Sequence, residues 1–214
     1  MDNKKLIAGF GYQEGRISSW DGKRTYTQAV PHMAKHCCDN GVDEILFYDW
    51  SVTDEDHEAA IAVIKEVCRE ADAPVIAGGR VKRMEDVKKY LYAGASAVFL
   101  DMSKEENTDM IKEASDRFGK EKIYVYLPTD EYIDSVKDYE AAGASVMLLN
   151  TAGSVPSLLE MASISDSEAS FLFFLQAKDD AKDTAESLKN AFGCGNIFGA
   201  VLTFTEDNMD SSMT

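Results

Sequence analysis

Two kinds of residue in this sequence have the type and placement to do chemistry: a glycine pair followed by cations, and carboxylates that close apolar runs. Residues 73–84 read Ala-Pro-Val-Ile-Ala-Gly-Gly-Arg-Val-Lys-Arg-Met, an apolar run that opens at Pro74, ends at Gly78-Gly79 and leads into Arg80, Lys82 and Arg83. A strand that ends in two glycines lets a phosphate reach the backbone N–H groups, because no side chain stands in the way. The plainer account is a strand-to-helix turn, which glycines also serve. Asp49 and Asp101 each end an apolar run. At the C-terminal ends of strands, two carboxylates facing one another split their pKa values and can act as acid and base. The competing account for Asp49 is structural: it caps the next loop or pairs with a lysine. Tyr12, Trp20, Tyr48 and Trp50 lie near the same ends, and either stack on a ligand's base or imidazole or pack loops onto the body. Residues 20–24, Trp-Asp-Gly-Lys-Arg, form a turn with two cations, read as a solvated hairpin in preference to a lid.

Composition narrows what these residues can serve. The 214-residue chain carries a formal charge of -16, which argues against nucleic acid, since that needs cations clustered along a face. No run of eighteen apolar residues exists, so no membrane span is expected. The first residues lack the apolar region of a signal peptide, and a cytoplasmic location is expected. Cys37, Cys38, Cys68 and Cys194 form no Cys-x-x-Cys pair, a spacing that fits neither zinc nor a disulfide framework. His32 and His36 stand four apart on an expected helix but lack an acidic partner at metal-binding spacing. No metal and no cofactor is expected.

The elements that must position the candidates follow from an internal repeat. Gly41-Val-Asp-Glu-Ile-Leu-Phe-Tyr-Asp49 recurs as Gly94-Ala-Ser-Ala-Val-Phe-Leu-Asp101 and as Gly143-Ala-Ser-Val-Met-Leu-Leu-Asn150, with a weaker copy from Gly193 to Thr203. Between these copies lie further strand candidates at 5–10, 74–77, 122–127 and 170–175. Eight strands at roughly twenty-five residues per strand–helix unit match a (β/α)8 barrel. Thr27 is expected to cap a helix that runs to residue 40, with Pro31 tolerated only near its first turn. Asp54 starts a second, in which Ala60, Ile61, Val63, Ile64, Val67 and Cys68 keep the helical period. Others are expected at 84–93, 107–118, 130–142, 156–162 and 179–192. The strand segments are mostly continuous apolar runs, the pattern of parallel strands buried on both faces. A doubly wound sheet uses the same units, but eight of them favour closure. Residues 206–214 are acidic and lack an apolar period, so the last helix is expected to be short or missing. The barrel would span 1–205, followed by a tail or a linker to a further domain.

Several of these segments resemble the histidine-biosynthesis barrels, the family of the phosphoribosylformimino-aminoimidazole carboxamide ribotide isomerase and the cyclase subunit of imidazole glycerol phosphate synthase. The resemblance rests on Gly15-Arg16-Ile17, Gly41 to Asp49, Gly78-Gly79 and Ala93-Gly-Ala-Ser-Ala-Val98, and it runs from about residue 5 to residue 122. It implies a single TIM barrel of the ribulose-phosphate-binding type with two aspartates for acid–base work and a phosphate site in each half. The first aspartate falls on Gly11 and is missing. The fifth strand ends in Tyr126-Leu127-Pro128, the sixth in Asn150-Thr151-Ala152-Gly153, and the seventh in Leu175-Gln176-Ala177-Lys178 instead of a second glycine pair. Thr203-Phe204-Thr205-Glu206 replace the small residues expected after the eighth. One half-site is implied, at Gly78, Gly79, Arg80 and Ser103, for a phosphorylated sugar or nucleotide-like molecule. Asp101 would repel that anion unless Arg80 or Lys104 intervened. The expectation is therefore a barrel with its catalytic aspartates and one phosphate site lost, serving as a ligand-binding, scaffold or regulatory domain. Its partner would be a histidine-pathway enzyme, such as a fused phosphoribosyl-AMP cyclohydrolase/phosphoribosyl-ATP pyrophosphatase. The alternative is an active aldose–ketose isomerase using Asp49 and Asp101.

Overall fold

Each apolar run of the sequence becomes one stave of a closed barrel. The computed structural model describes residues 4–27, 29–150, 169–176, 185–186, 188–189, 192 and 197–203. Eight parallel strands, β1 (Lys5–Gln13), β4 (Glu44–Asp49), β5 (Val75–Gly78), β6 (Ala97–Asp101), β7 (Ile123–Leu127), β8 (Val146–Leu149), β9 (Ser170–Gln176) and β10 (Ile197–Thr203), pair in chain order. The ring shuts where β1 pairs with β10, from Lys5↔Gly199 to Gly9↔Thr203. Two short strands, β2 (Arg16–Ser18) and β3 (Thr25–Tyr26), extend β1 as an antiparallel hairpin at its C-terminal end. The expected (β/α)8 barrel is thus present.

Side-chain alternation along each strand divides the core in two. Ile7, Leu46, Tyr48, Ile76, Ala97, Phe99, Tyr126, Val146, Leu148, Leu172, Phe174 and Val201 point inward and fill the lumen. Ala8, Phe10, Ile45, Phe47, Val75, Ala77, Val98, Leu100, Val125, Met147 and Phe173 point outward against the helices. Both sets are buried, which is why the runs read as continuously apolar. At the floor of the lumen Lys5 donates to the carboxylate of Glu44, itself buried, and lies 4.9 Å from the ring centre of Phe198.

The helices are α1 (Val30–Asp39), α2 (Asp54–Glu70), α3 (Met84–Ala93), α4 (Glu105–Phe118) and α5 (Val136–Ala142). The first does not start at Thr27: Ala29 is its N-cap and Pro31 falls in its first turn. A helix begun at Thr27 would place the proline ring against a preceding carbonyl. In α2 the Thr53 hydroxyl accepts the Asp56 N–H at 3.1 Å, and Asp54, Glu55 and Asp56 complement the helix dipole. Residues 130–135, expected to be α-helical, form a 3-10 turn ahead of α5. The expected helix at 156–162, most of that at 179–192, the segments Thr151–Gly153, Ala177-Lys178 and 204–206, the tail 206–214 and Cys194 lie outside the described residues. No helix among the described residues is long and apolar enough to cross a membrane.

Cys37 on α1 and Cys68 on α2 are free. Burial pushes both thiols up to about 11, with Cys38 adding to the effect on Cys37. Both are expected to resist iodoacetamide at pH 8 in the native protein and to react readily in denaturant. Fast alkylation of native Cys37 would contradict this packing.

Candidate functional site

The C-terminal ends of the strands carry the candidate residues, and alternation sends them to opposite sides of the sheet. Asp101, the last residue of β6, follows Ala97 and Phe99 in pointing into the lumen, where it is 3% exposed. Its Oδ2 accepts the hydroxyl of Tyr48, and its Oδ1 accepts the Ser103 N–H at 3.0 Å and the Ser103 hydroxyl at 2.7 Å. Its bonded partners are therefore hydroxyls and an amide, not a second carboxylate. Burial, and then the Asp101 charge, push the Tyr48 phenol far above its ordinary range.

Asp49 does not face Asp101 across the lumen. It follows Ile45 and Phe47 on the outward face of β4 and is 1% exposed. Its Oδ1 accepts the Ser51 N–H at 2.9 Å, the loop-capping role that was its structural alternative. Its Oδ2 takes the His57 Nδ1–H at 2.7 Å and the Tyr90 hydroxyl at 2.8 Å. His57 Nε2 lies 3.7 Å from Asp86 Oδ1, and that carboxylate's Oδ2 accepts the N–H groups of Lys82 and Arg83. A polar network thus joins β4, α2, α3 and the loop after β5 beneath the helices. Sequence reading gave His57 and Tyr90 no role. The signal that could have found His57 is its spacing, since residues 57, 60, 64 and 67 form the buried stripe of α2.

The glycine pair is required by packing. A Cβ on Gly78 would lie 2.2 Å from the Phe99 carbonyl oxygen. One on Gly79, whose φ is +99°, would lie 2.5 Å from the Tyr48 ring and 2.9 Å from the Asp49 carbonyl. Arg80 turns away from the lumen. Its guanidinium is buried and donates to Asp54 Oδ1 at 2.5 Å at the start of α2. The cation beside the glycines is Lys104, the N-cap residue of α4, whose Nζ donates to the Gly79 carbonyl. Burial lowers the Lys104 pKa, and Asp101, Glu106 and Asp49 oppose that shift. Gly79, Lys104 and Ser103 therefore meet at one edge of the lumen, and Arg80 does not join them.

Two features crowd the C-terminal mouth of the barrel. Gly11 lines the barrel between Ser18 and Trp50, where a Cβ would lie 2.2 Å from Ser18 Oγ, 2.8 Å from the Ser19 carbonyl and 2.9 Å from the Trp50 ring. The side chain of Trp20, expected in a solvated hairpin, is 6% exposed and belongs to the luminal cluster. Its ring centre lies 4.7 Å from Phe174, 5.3 Å from Tyr48, 5.6 Å from Tyr126 and 6.2 Å from Phe99. Its Nε1–H donates to the Tyr126 hydroxyl at 3.0 Å, which also accepts Asn150 Nδ2 at 2.7 Å. Trp50 stacks on Tyr48 at 4.0 Å and donates its Nε1–H to the Trp20 carbonyl at 3.1 Å. Gly22, whose Cβ would lie 2.9 Å from the Trp50 ring, lets the turn sit flat against it. The indole packs edge-on against Tyr48, whose hydroxyl donates to Asp101. Among the described residues no group of three His, Cys, Asp or Glu is placed to hold a metal ion.

Burial raises the phenols of Tyr124 and Tyr126 to about 12, the latter against the lowering effect of its bonds from Trp20 and Asn150, and raises the Tyr90 phenol well above its ordinary value. A phenol whose folded pKa lies above its unfolded value contributes stability that is whole below pH 10 and drains as pH climbs through 12. Absorbance titration is expected to show these phenols ionising only together with alkaline unfolding. Reversible ionisation of all of the tyrosines near pH 10 would contradict the luminal packing.

Residues 14–149 match the family described as "Histidine biosynthesis protein". Curated proteins called imidazole glycerol phosphate synthase subunit HisF, from Staphylococcus aureus strains Newman, USA300 and COL, are each 31% identical to this chain over 137 residues. The aligned part is 63% of this chain and 53% of each relative, so the chain spans about half the length of the curated relatives it matches.

Proposed function

The chain belongs to the histidine biosynthesis protein family, and from that premise we propose that it is a barrel without the family's proton-transfer chemistry, acting as a phosphate-ligand-binding scaffold or regulatory domain. The observation that carries this reading is the crowding at Gly11. The position where the resemblance calls for the first aspartate has no space for a side chain, and Asp101 is bonded to Tyr48 and Ser103. Asp49, the other candidate acid, is directed at His57 and Tyr90 beneath the helices. The isomerase alternative would have to work from Asp101 alone.

What remains suits anion binding. The Gly78-Gly79 turn, the Lys104 ammonium and the Ser103 hydroxyl converge at one edge of the lumen, and a phosphorylated sugar or nucleotide-like molecule is the ligand class they fit. The HisF relatives are named as a subunit of a synthase, and this barrel correspondingly serves beside another histidine-pathway enzyme, as a separate chain or as a fused domain.

Assays of the purified protein for cyclase and isomerase turnover test the reading. Each missing acid or base costs ~10²- to 10⁴-fold in rate, so turnover is expected at least about 10⁴-fold below that of an active family member. Turnover within about tenfold of it would defeat the non-catalytic reading. For the half-site, Lys104→Met is expected to weaken ribose 5-phosphate binding about tenfold, the equivalent of one charge-assisted hydrogen bond. Unchanged affinity would remove Lys104 from the site.

A further inference from the structure

The indole of Trp20 is held as a bound molecule would be held. Four aromatic rings surround it. Its N–H meets the Tyr126 hydroxyl, which also accepts Asn150, and the neighbouring Tyr48 ring carries a hydroxyl that donates to Asp101. A core that needed only to be filled would not keep a buried carboxylate and polar phenols there, because burying them costs free energy that apolar residues avoid. An aromatic slot with a few convergent polar groups is the lining of a small-molecule pocket.

The segment that delivers the indole carries hydrogen bonds of its own. Residues 19–24 close on themselves, with the Ser19 N–H donating to the Arg24 carbonyl, the Gly22 N–H donating to the Ser19 carbonyl, and the Ser19 hydroxyl donating to Asp21. Asp21, Lys23 and Arg24 are exposed, and β3 beyond them is two residues long. Two indole bonds tie the tip to the barrel, Trp20 to Tyr126 and Trp50 to the Trp20 carbonyl. The base of the hairpin is firm, since Ile17 and Ser18 are buried and pair with β1. A firm base and a locally bonded tip make a strap that can move at its end without unravelling the barrel.

We propose that Trp20 is an intramolecular occupant of the barrel's ligand cavity, and that the 19–24 tip swings out to admit a planar, N–H-bearing heteroaromatic molecule in its place. The strap competes with the ligand, so apparent affinity is the intrinsic affinity multiplied by the fraction of molecules whose strap is out. This inference does not depend on whether the barrel turns over substrate, nor on the phosphate half-site.

Benzimidazole, which carries both a ring N–H and a ring size close to indole, is the probe. The chain has two tryptophans, Trp20 and Trp50, so in Trp50→Phe the emission of Trp20 is observed alone, and the bond from Trp50 to the strap is gone. Benzimidazole is expected to bind Trp20→Ala at least tenfold more tightly than wild type, with Trp50→Phe in between. In Trp50→Phe saturation should shift Trp20 emission to the red, as the indole enters water. Binding to Trp20→Ala with no emission change in Trp50→Phe would show the indole to be fixed core and would overturn the proposal. So would a folded Trp20→Ala that binds nothing. If Trp20→Ala fails to fold, the Trp50→Phe titration decides by itself. Turnover by the wild type would defeat the non-catalytic reading and leave this one standing.

Discussion

His57→Leu is expected to cost about 3–5 kcal/mol of folding stability, the usual penalty for stripping a partner from a buried charge. At this chain length that lowers Tm by about 10 °C. Asp49 and Asp86 are each 1% exposed, and His57 stands between them. Leucine fills the volume but leaves Asp49 with the Ser51 N–H and the Tyr90 hydroxyl, and leaves Asp86 facing an apolar group. Denaturant unfolding measures the loss. Combining His57→Leu with Asp49→Asn should cost less than the two single changes added together, because the second removes the charge that the first exposes. A loss under about 1 kcal/mol, or strict additivity, would show that the network is not coupled. Such a result would return Asp49 to the list of candidate acids, since its outward bonding is what removes it.

Gly78→Ala is expected to be nearly as damaging, at about 3 kcal/mol or more. The new Cβ would sit 2.2 Å from the Phe99 carbonyl oxygen and 2.8 Å from the Phe99 ring. Gly78 is paired with Phe99 in the β5–β6 ladder, so relief requires the strands to part. Gly41→Ala is the control. Its φ is +88° and its Cβ would meet nothing within 4 Å, so it should cost only the strain of a left-handed residue, about 1 kcal/mol. Thermal unfolding without added ligand measures both. Equal losses would mean that close packing does not explain Gly78. The large loss at Gly78 would assign this glycine to closure of the sheet, independently of any phosphate that the following turn binds.

The barrel was legible because its signals are local and repeated. Three copies of a glycine-led apolar run, and others between them, predict eight buried parallel strands, and the eight staves of the barrel follow that reading closely, whereas the β2–β3 hairpin lies outside it. Helix starts were legible where a side chain makes the cap, as Thr53 does, and misplaced by a few residues where proline sets the start, as at Pro31. The site was legible as a set of residues near strand ends but not as a set of directions. Asp49 and Asp101 occupy equivalent places in two copies of the repeat, yet one copy has a residue more between its glycine and its aspartate, and a shift of one residue flips a side chain to the other face. Arg80 follows the glycine pair, but burial beside Asp54 took its guanidinium away, whereas Lys104 arrives from the next loop.

By itself the sequence determined the architecture, the family and the glycine at position 11, because composition, period and residue identity are properties of the chain alone. Only the tertiary structure decided that Asp49 belongs to His57 and Tyr90, that Gly11 has no space to regain a side chain, and that Trp20 lies inside the barrel. The bond of Asp49 to Tyr90 and the burial of Trp20 depend on contacts between residues 41 to 154 positions apart, such as Tyr90 with Asp49, Trp20 with Tyr126, and Trp20 with Phe174. Such contacts arise only when the ring closes and brings distant strand ends to one rim, and no local pattern of residues encodes which of them will meet there.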